Sequence, residues 1–203
     1  TTWGASPWKE RIIDADATVY TKLRAAGAIL VAKLSTGALA VGAQWFGGLT
    51  RNPWNTNEDA AGSSAGPGAA TAAGLVGFSI GTDTGGSITG PAERNGVAGL
   101  RPTFGRVSRH GGMTLAWTQD TVGPLCRSAE DCVIVFDAIY GPDGNDNSIL
   151  DVPFGWDAGA DVRKLRVGYL RSAFEGRAGE TARQQATRRN NEAALAVIRG
   201  MGV

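Results

Sequence analysis

Residues 62–101 constrain the fold more than any other stretch, because two loops of small residues flank a helix and a strand there. The stretch reads GSSAGPGAATAAGLVGFSIGTDTGGSITGPAERNGVAGLR. Alanine and glycine let neighbouring backbones approach closely, so we predict a tightly packed helix over residues 68–75. The aliphatic run that follows predicts a buried strand over residues 76–80. The second loop then presents Gly85 and Gly86, whose main-chain amides a ligand can approach.

A serine follows these two glycines directly, and that order is typical of acyl-transfer chemistry. A hydroxyl attacks a carbonyl carbon, and the charge that develops on the carbonyl oxygen is stabilised by N–H donors already in place. We therefore predict Ser87 as a nucleophile. The predicted oxyanion donors are the amides of Thr84, Gly85, Gly86 and Ser87 itself. A GGS tripeptide alone is equally typical of a surface turn.

Longer motifs favour the catalytic interpretation. They are GSSAG at 62–66, FSIGTDTGGSI at 78–88 and GVAGLRPTFGRVSRHGG at 96–112, with TRNPWN at 50–55 upstream and DTVGPLCRSAEDC at 120–132 downstream. Together they resemble the amidase signature family over most of residues 1–150. The resemblance implies an α/β fold with a mixed β-sheet core flanked by helices. It also implies that residues 1–203 form a single partial amidase signature domain, with residues 62–101 as the signature core.

The resemblance implies a Ser-Ser-Lys triad, one of the lysine-dependent variants of the serine triad. In the family, the serine at the Ser87 position is the nucleophile. The serine at the Ser63 position, next to a cis peptide bond, passes the proton on. Ser64 is expected to support this pair by hydrogen bonding, and Asp83 to order the loop by accepting main-chain N–H bonds.

The lysine of the triad is expected to lie outside this sequence. In the family it belongs to a segment that precedes the residues matching 1–6, so we interpret the chain as a fragment that lacks both ends of the catalytic domain. A lysine acts as a base near neutral pH only if its surroundings lower its pKa. Lys33 is the alternative base, but its place matches a non-catalytic lysine of the family, and we predict a solvated or paired side chain. Alone, the fragment is expected to hydrolyse amides weakly or not at all.

Two related functions are compatible with these motifs. The first is an amidase that cleaves a carboxylic amide to acid and ammonia or amine through an acyl-serine intermediate. The alternative is the glutamine-hydrolysing A-type subunit of an aminoacyl-tRNA amidotransferase. The expected partners are a small-molecule amide and either a second copy of the chain or amidotransferase subunits. No cofactor or metal is expected, because protein groups supply both the nucleophile and the charge stabilisation.

Composition and motif content argue against other functions. The net charge is +1 with 19% charged residues, so we expect no direct binding to nucleic acid or membranes. Two cysteines, Cys126 and Cys132, and a single histidine make a zinc site improbable. A phosphate-binding loop is disfavoured because no Gly-Lys-Ser/Thr motif is present. His110 would have to lie beside Ser87 to complete a Ser-His-Asp triad, and we expect it in a loop without a catalytic role.

Several local predictions complete the sequence analysis. Helices are predicted over residues 16–26, 36–41, 128–139 and 179–199, and strands over 28–33 and 165–170. Thr89 stands where the family usually has an arginine, and Arg94 is a candidate to replace that cation. Gln44, Trp45 and Phe46 are interpreted either as lining an acyl pocket or as packing residues.

Overall fold

The computed structural model describes residues 1–203, apart from the side chain of Ala173. The chain forms two compact units, residues 1–154 and residues 155–203. The first unit contains the helices α1 (Thr18–Ala25), α2 (Ala65–Ala72), α3 (Thr89–Asn95) and α4 (Ala129–Ile139) and the strands β1 (Gln44–Trp45), β2 (Gly48–Leu49), β3 (Phe78–Asp83), β4 (Ala98–Gly99) and β5 (Thr121–Cys126). The second contains α5 (Ala182–Gly200). The class is α/β, as predicted.

The main sheet has three strands in the order β3-β5-β4, and both of its pairings are antiparallel. The central strand β5 is buried along its whole length. β3 pairs with it from Phe78 opposite Cys126 to Asp83 opposite Thr121. The end of β3 and the start of β5 therefore meet at one edge of the sheet, and the serine loop follows directly from that edge.

Helix α4 covers the sheet and confirms the helix predicted over residues 128–139. Ser128 caps its N-terminus, where the hydroxyl accepts a hydrogen bond from the Asp131 N–H at 3.0 Å. Its buried face contributes Phe136 and Ile139 to a core with Val107 and Val122. The apolar face of the helix is thus buried against the sheet that carries the serine loop.

Helix α2 begins at Ala65, three residues earlier than predicted, and its small residues have the predicted effect. A Cβ added at Gly66 would lie 2.5 Å from the Ser35 carbonyl oxygen, and one at Gly68 would lie 2.8 Å from Asn95 Nδ2. Real Cβ atoms do not approach neighbours that closely. The helix therefore requires these glycines for its contacts with α3 and with the segment that precedes β1.

Two predicted strands were wrong. Residues 28–33 and 165–170 are irregular, with Ile29 87% and Val31 71% exposed. An aliphatic run becomes a strand only beside another strand that shares its hydrogen bonds, and no strand in the described part of the chain pairs with either run. Helix α1 starts two residues later than predicted, after Ala17, and its first turn has no side-chain cap. The helix predicted over residues 36–41 is only a short 3-10 turn, Ala38–Ala40.

In the second unit, α5 confirms the helix predicted over residues 179–199. Thr181 and Gln184 form a reciprocal capping box at its start. Its arginine-rich face is exposed and paired, with Arg188 bonded to Glu180 at 3.3 Å and to Glu192 at 2.9 Å. None of the helices in the described residues combines the length and apolar character needed to cross a membrane.

We predict that Gly81→Ala destabilises the protein by about 1–3 kcal/mol, because the added methyl overpacks the sheet against the serine turn. Its Cβ would lie 2.6 Å from Ser64 Oγ and 2.8 Å from Leu125 Cδ1. Gly77→Ala is the matched control, since nothing lies within 4 Å of a Cβ there. Urea denaturation of both variants measures the difference. Equal losses of stability would contradict the packing account.

Candidate functional site

The turn at residues 62–64 has the backbone geometry that the family resemblance implies. The peptide bond between Gly62 and Ser63 is cis. The Ser63 carbonyl oxygen accepts hydrogen bonds from the Gly37 N–H at 2.9 Å and from Thr36 Oγ1 at 3.0 Å. A Cβ at Gly62 would overlap the Gly42 carbonyl. The turn is thus enclosed by residues 36–42, and its first position requires glycine.

Ser64 joins this turn to the strand and to the second loop. Its Oγ donates to the Thr82 carbonyl oxygen and accepts from the Thr82 N–H, both at 3.1 Å. Its main-chain N–H donates to the carbonyl oxygen of Ser87 at 3.2 Å. These three bonds bring the two serine loops together. They give Ser64 the supporting position predicted for it.

The hydroxyls of Ser63 and Ser87 differ in their surroundings. Ser63 is 1% exposed, and its Oγ is buried without a hydrogen-bond partner among the described residues. Buried polar atoms are nearly always paired, so an orphan hydroxyl of this kind points to a functional site. Ser87 is half-buried. Ser87 is therefore more exposed to solvent than Ser63.

Asp83 fixes the loop that carries Ser87. Its Oδ1 accepts from the Gly86 N–H at 2.7 Å, and its Oδ2 accepts from the N–H groups of Ile88 at 2.7 Å and Thr89 at 3.3 Å. Arg101 Nε also donates to Oδ1, at 3.0 Å. Burial alone would raise the pKa of Asp83, but these donors outweigh it and the pKa is lowered. The carboxylate is therefore an ordering anion and a poor general base.

This arrangement corrects the predicted set of oxyanion donors. The N–H of Gly86 is engaged by Asp83, so it is not free to meet a developing oxyanion. Gly86 instead supplies the backbone conformation of the turn, at a φ of 112° that side chains rarely allow. Among the described residues, no acceptor faces the N–H groups of Thr84, Gly85 and Ser87. These three N–H groups are therefore unpaired, whereas that of Gly86 is not.

A pocket opens beside Thr84 on the side of the loop over residues 112–116. The two charged side chains that line it are already bound: Arg109 is paired with Asp146 at 2.9 Å, and Asp120 accepts bonds from Thr84 and from the loop. Gln44, Trp45 and Phe46 do not line this pocket. The ring of Trp45 packs on Phe46 with centroids 4.5 Å apart, which favours the packing interpretation. The pocket is lined by Ala40, Thr82, Thr84, Arg109, Gly112, Met113, Thr114, Leu115, Asp120, Thr121 and Val122.

The alternative catalytic residues lie elsewhere. Lys33 is exposed, and its Nζ donates to Thr1 Oγ1 at 3.0 Å, in agreement with a solvated or paired role. His110 is exposed, and its loop lies beside the start of α1, where its Nδ1 is 3.4 Å from Thr18 Oγ1. In the described structure, no hydrogen bond connects either side chain to Ser87. Neither residue is placed to act as its base.

Arg94 does not take the place of the arginine that the family usually has at the position of Thr89. It pairs with Glu58 at 3.3 Å and with Asp59 at 3.7 Å, away from the serine loop. Arg101 is the cation that contacts the loop, through Asp83.

Metal-ligand clusters are lacking in the part of the chain that the structure describes, where no group of three His, Cys, Asp or Glu side chains converges. Cys126 and Cys132 are buried free thiols. The hydrogen bond that the Cys126 thiol donates to the Cys132 sulfur, together with burial, raises the pKa of Cys126. These thiols are core residues.

Sequence reasoning missed two residues of the site, Arg101 and Asp120. The sequence shows Arg101 only as part of a motif, and its ion pair with Asp83 joins positions 18 residues apart. Asp120 stands at the start of the downstream motif, directly before a buried strand. The sequence could have indicated the role of Asp120 only through its position, as an acidic residue directly before an otherwise apolar strand.

We expect the stability of the protein to fall as the pH drops below the ordinary aspartate pKa of 3.8, partly through Asp83. A carboxyl whose pKa is lowered by folding contributes stability above its unfolded-state pKa and loses it as pH falls through the folded-state value. Asp83→Asn should lower stability at pH 7 and flatten the acid limb, because an amide nitrogen would face N–H donors. Denaturation from pH 7 to pH 2 measures both effects, with the exposed Asp137→Asn as control. An unchanged acid limb in Asp83→Asn would contradict this assignment.

Comparison with known proteins places this geometry in a family. The family model described as Amidase matches residues 1–202. The A-type subunit of the glutamyl-tRNA(Gln) amidotransferase of Lysinibacillus sphaericus is 43% identical over an alignment of 193 residues, which covers 92% of this chain and 39% of that protein. The chain thus spans about two fifths of the length of this relative.

Solved structures show the same relationship. The A-type subunit of the glutamyl-tRNA(Gln) amidotransferase from Thermotoga maritima matches with a TM-score of 0.74 and 36% identity, over 75% of this chain and 34% of that one. Native peptide amidase from Stenotrophomonas maltophilia matches with a TM-score of 0.71 and 38% identity, over 80% of this chain and 35% of that one. The family model, the relatives and the fold agree, and the chain belongs to the amidase family.

Proposed function

We propose that this chain carries the nucleophile loop and the proton-shuttle turn of an enzyme that hydrolyses carboxylic amides. The observation that carries the proposal is the bond from the Ser64 N–H to the Ser87 carbonyl oxygen, 3.2 Å long. It holds the turn with the buried, unpartnered Ser63 hydroxyl against the loop of Ser87. Family membership supports the same reaction class.

In the proposed mechanism, Ser87 Oγ attacks the amide carbonyl carbon while its proton passes to Ser63. The resulting tetrahedral intermediate collapses, the C–N bond breaks, and the leaving nitrogen takes up a proton through Ser63. The product is an acyl ester of Ser87. Water then attacks this ester and releases the carboxylic acid and the free serine. The lysine that the family resemblance assigns as the final base would come from outside residues 1–203.

Charge on the carbonyl oxygen is proposed to be stabilised by the main-chain amides around Ser87. The free N–H groups of Thr84, Gly85 and Ser87 are the donors that the loop offers. Asp83 holds the loop rigid, so these dipoles need no reorganisation during the reaction, and preorganisation of this kind is a major source of catalysis. Removal of a single such donor typically slows turnover about a hundred- to a thousandfold.

The second candidate is the glutamine-hydrolysing A-type subunit of an aminoacyl-tRNA amidotransferase. It is supported by the names of the two relatives from Lysinibacillus sphaericus and Thermotoga maritima. The peptide amidase from Stenotrophomonas maltophilia supports the first candidate. Co-purification of the full-length protein with partner subunits, and glutamine hydrolysis that depends on them, would favour the amidotransferase. Turnover of simple amides without a partner would favour the amidase.

Two further sequence-based proposals accompany this function. Residues 1–203 are proposed to be one partial amidase signature domain, with residues 62–101 as its core. Self-association as a homodimer is the other partner arrangement proposed for the full-length protein, besides amidotransferase subunits.

We expect Ser87→Ala and Ser63→Ala, each made in the full-length protein, to lower kcat for amide hydrolysis at least about a thousandfold. Ser87→Ala removes the nucleophile, and Ser63→Ala removes the proton path. Because the two serines act as a unit, the double variant should be little worse than either single variant. Ammonia release measures the rates, and the exposed Ser6→Ala is the control. Turnover by Ser87→Ala near the wild-type rate would overturn the proposal.

A further inference from the structure

Asp120 lies where the serine loop and the pocket wall meet. The β3–β5 register pairs Asp83, the last residue of β3, with Thr121, the first residue of β5. Thr84 directly follows β3 and Asp120 directly precedes β5, so these two residues lie opposite each other. Asp120 is 8% exposed, which is unusual for a carboxylate outside an ion pair. A buried carboxylate needs several donors to offset its lost hydration. The groups that donate hydrogen bonds to Asp120 are therefore the groups that it holds in place.

Both oxygens of Asp120 are fully used. Oδ1 accepts from Thr84 Oγ1 at 2.6 Å and from the Ala116 N–H at 3.0 Å. Oδ2 accepts from the N–H groups of Leu115 at 2.7 Å and Ala116 at 2.9 Å. One side chain thus links the first residue of the oxyanion loop to two consecutive amides of the pocket wall. Charge-assisted bonds of this length are among the stronger hydrogen bonds in proteins.

Two carboxylates therefore hold the serine loop, one at each side of Gly85. Asp120 fixes Thr84 through its hydroxyl, and Asp83 fixes Gly86 and the residues that follow Ser87. Gly85 between them is exposed, and nothing lies within 4 Å of a Cβ built on it. The position of the free amides depends on both anchors. An error of about 1 Å in such a site can slow catalysis by a hundredfold.

We propose that Asp120 is a positioning residue that couples the pocket wall to the oxyanion loop. This inference rests on the proposed amide hydrolysis at Ser87. Asp120 does not touch the reacting atoms; it acts through Thr84. Leu115 and Ala116 are held by the same carboxylate as Thr84, so the wall over residues 112–116 and the first residue of the oxyanion loop are fixed relative to each other.

Three conservative changes distinguish this positioning role from an effect on overall stability. Thr84→Val preserves shape and removes the hydroxyl that donates to Asp120, whereas Thr84→Ser keeps it. Asp120→Asn keeps an acceptor oxygen at the Oδ2 position for the N–H groups of Leu115 and Ala116. Its amide nitrogen, at the Oδ1 position, can donate to Thr84 Oγ1 but also faces the Ala116 N–H. Asp120→Asn therefore removes the charge-assisted bond and disturbs one contact of the loop, whereas Thr84→Val leaves every bond between Asp120 and the loop in place.

The experiment measures kcat and KM for amide hydrolysis by the full-length protein. We expect Thr84→Val and Asp120→Asn each to lower kcat about tenfold with KM changed less than about twofold. Thr84→Ser should restore most of the rate. The Thr84→Val, Asp120→Asn double variant should be no slower than the slower single variant, because both remove one interaction.

Matched controls are available elsewhere on the chain. Thr21→Val removes a hydroxyl that donates to the Thr18 carbonyl oxygen at 2.9 Å on α1, and Asp151→Asn changes an exposed carboxylate. Both should retain the wild-type kcat. The inference would be overturned by a wild-type kcat in Thr84→Val. It would also be overturned if the losses of kcat were additive in the double variant, or if Thr84→Ser lost as much kcat as Thr84→Val. If Ser87→Ala keeps its activity, the proposed function fails; if Ser87→Ala is inactive while Thr84→Val is unchanged, only this inference fails.

Discussion

The buried carboxylate of Asp83 is the interaction on which the site depends. Asp83 is fully buried at the end of β3, and an anion there is tolerated only because three main-chain N–H groups and Arg101 donate to it. The same bonds determine the course of the chain around Ser87. They also withdraw the Gly86 amide from the oxyanion donors. Stability and catalytic geometry therefore share one set of hydrogen bonds.

Small residues allow the second serine loop to reach this point. Gly81 leaves room for Ser64 between β3 and the turn, and Gly62 passes against the Gly42 carbonyl. Ser64 then bonds to both the N–H and the carbonyl of Thr82. Close packing of backbones brings the Ser63 hydroxyl, buried and unpartnered, beside the nucleophile loop. A core of larger side chains would separate the two loops.

Local features of the sequence predicted a large part of this arrangement. The α4 helix, the α2 helix of small residues and the hydrogen bonds from main-chain N–H groups to Asp83 were expected from local features, and the cis bond beside Ser63 was expected from the family resemblance. The partners of Asp83 and Thr84 were not, because Arg101 and Asp120 lie 18 and 36 residues away from them along the chain. The strands expected over residues 28–33 and 165–170 failed for a similar reason. Strand formation depends on a neighbouring strand, which local composition does not reveal.

The most direct test of the account is the covalent labelling of Ser87. The full-length protein would be treated with a fluorophosphonate, and the modified residue located by mass spectrometry of its peptides. The account predicts that Ser87 is labelled faster than Ser63 or Ser64. It also predicts that Ser87 is labelled more slowly in Asp83→Asn than in the wild type. Label on another residue, or an undiminished labelling rate in Asp83→Asn, would contradict the claim that Asp83 holds the nucleophile loop in its reactive geometry.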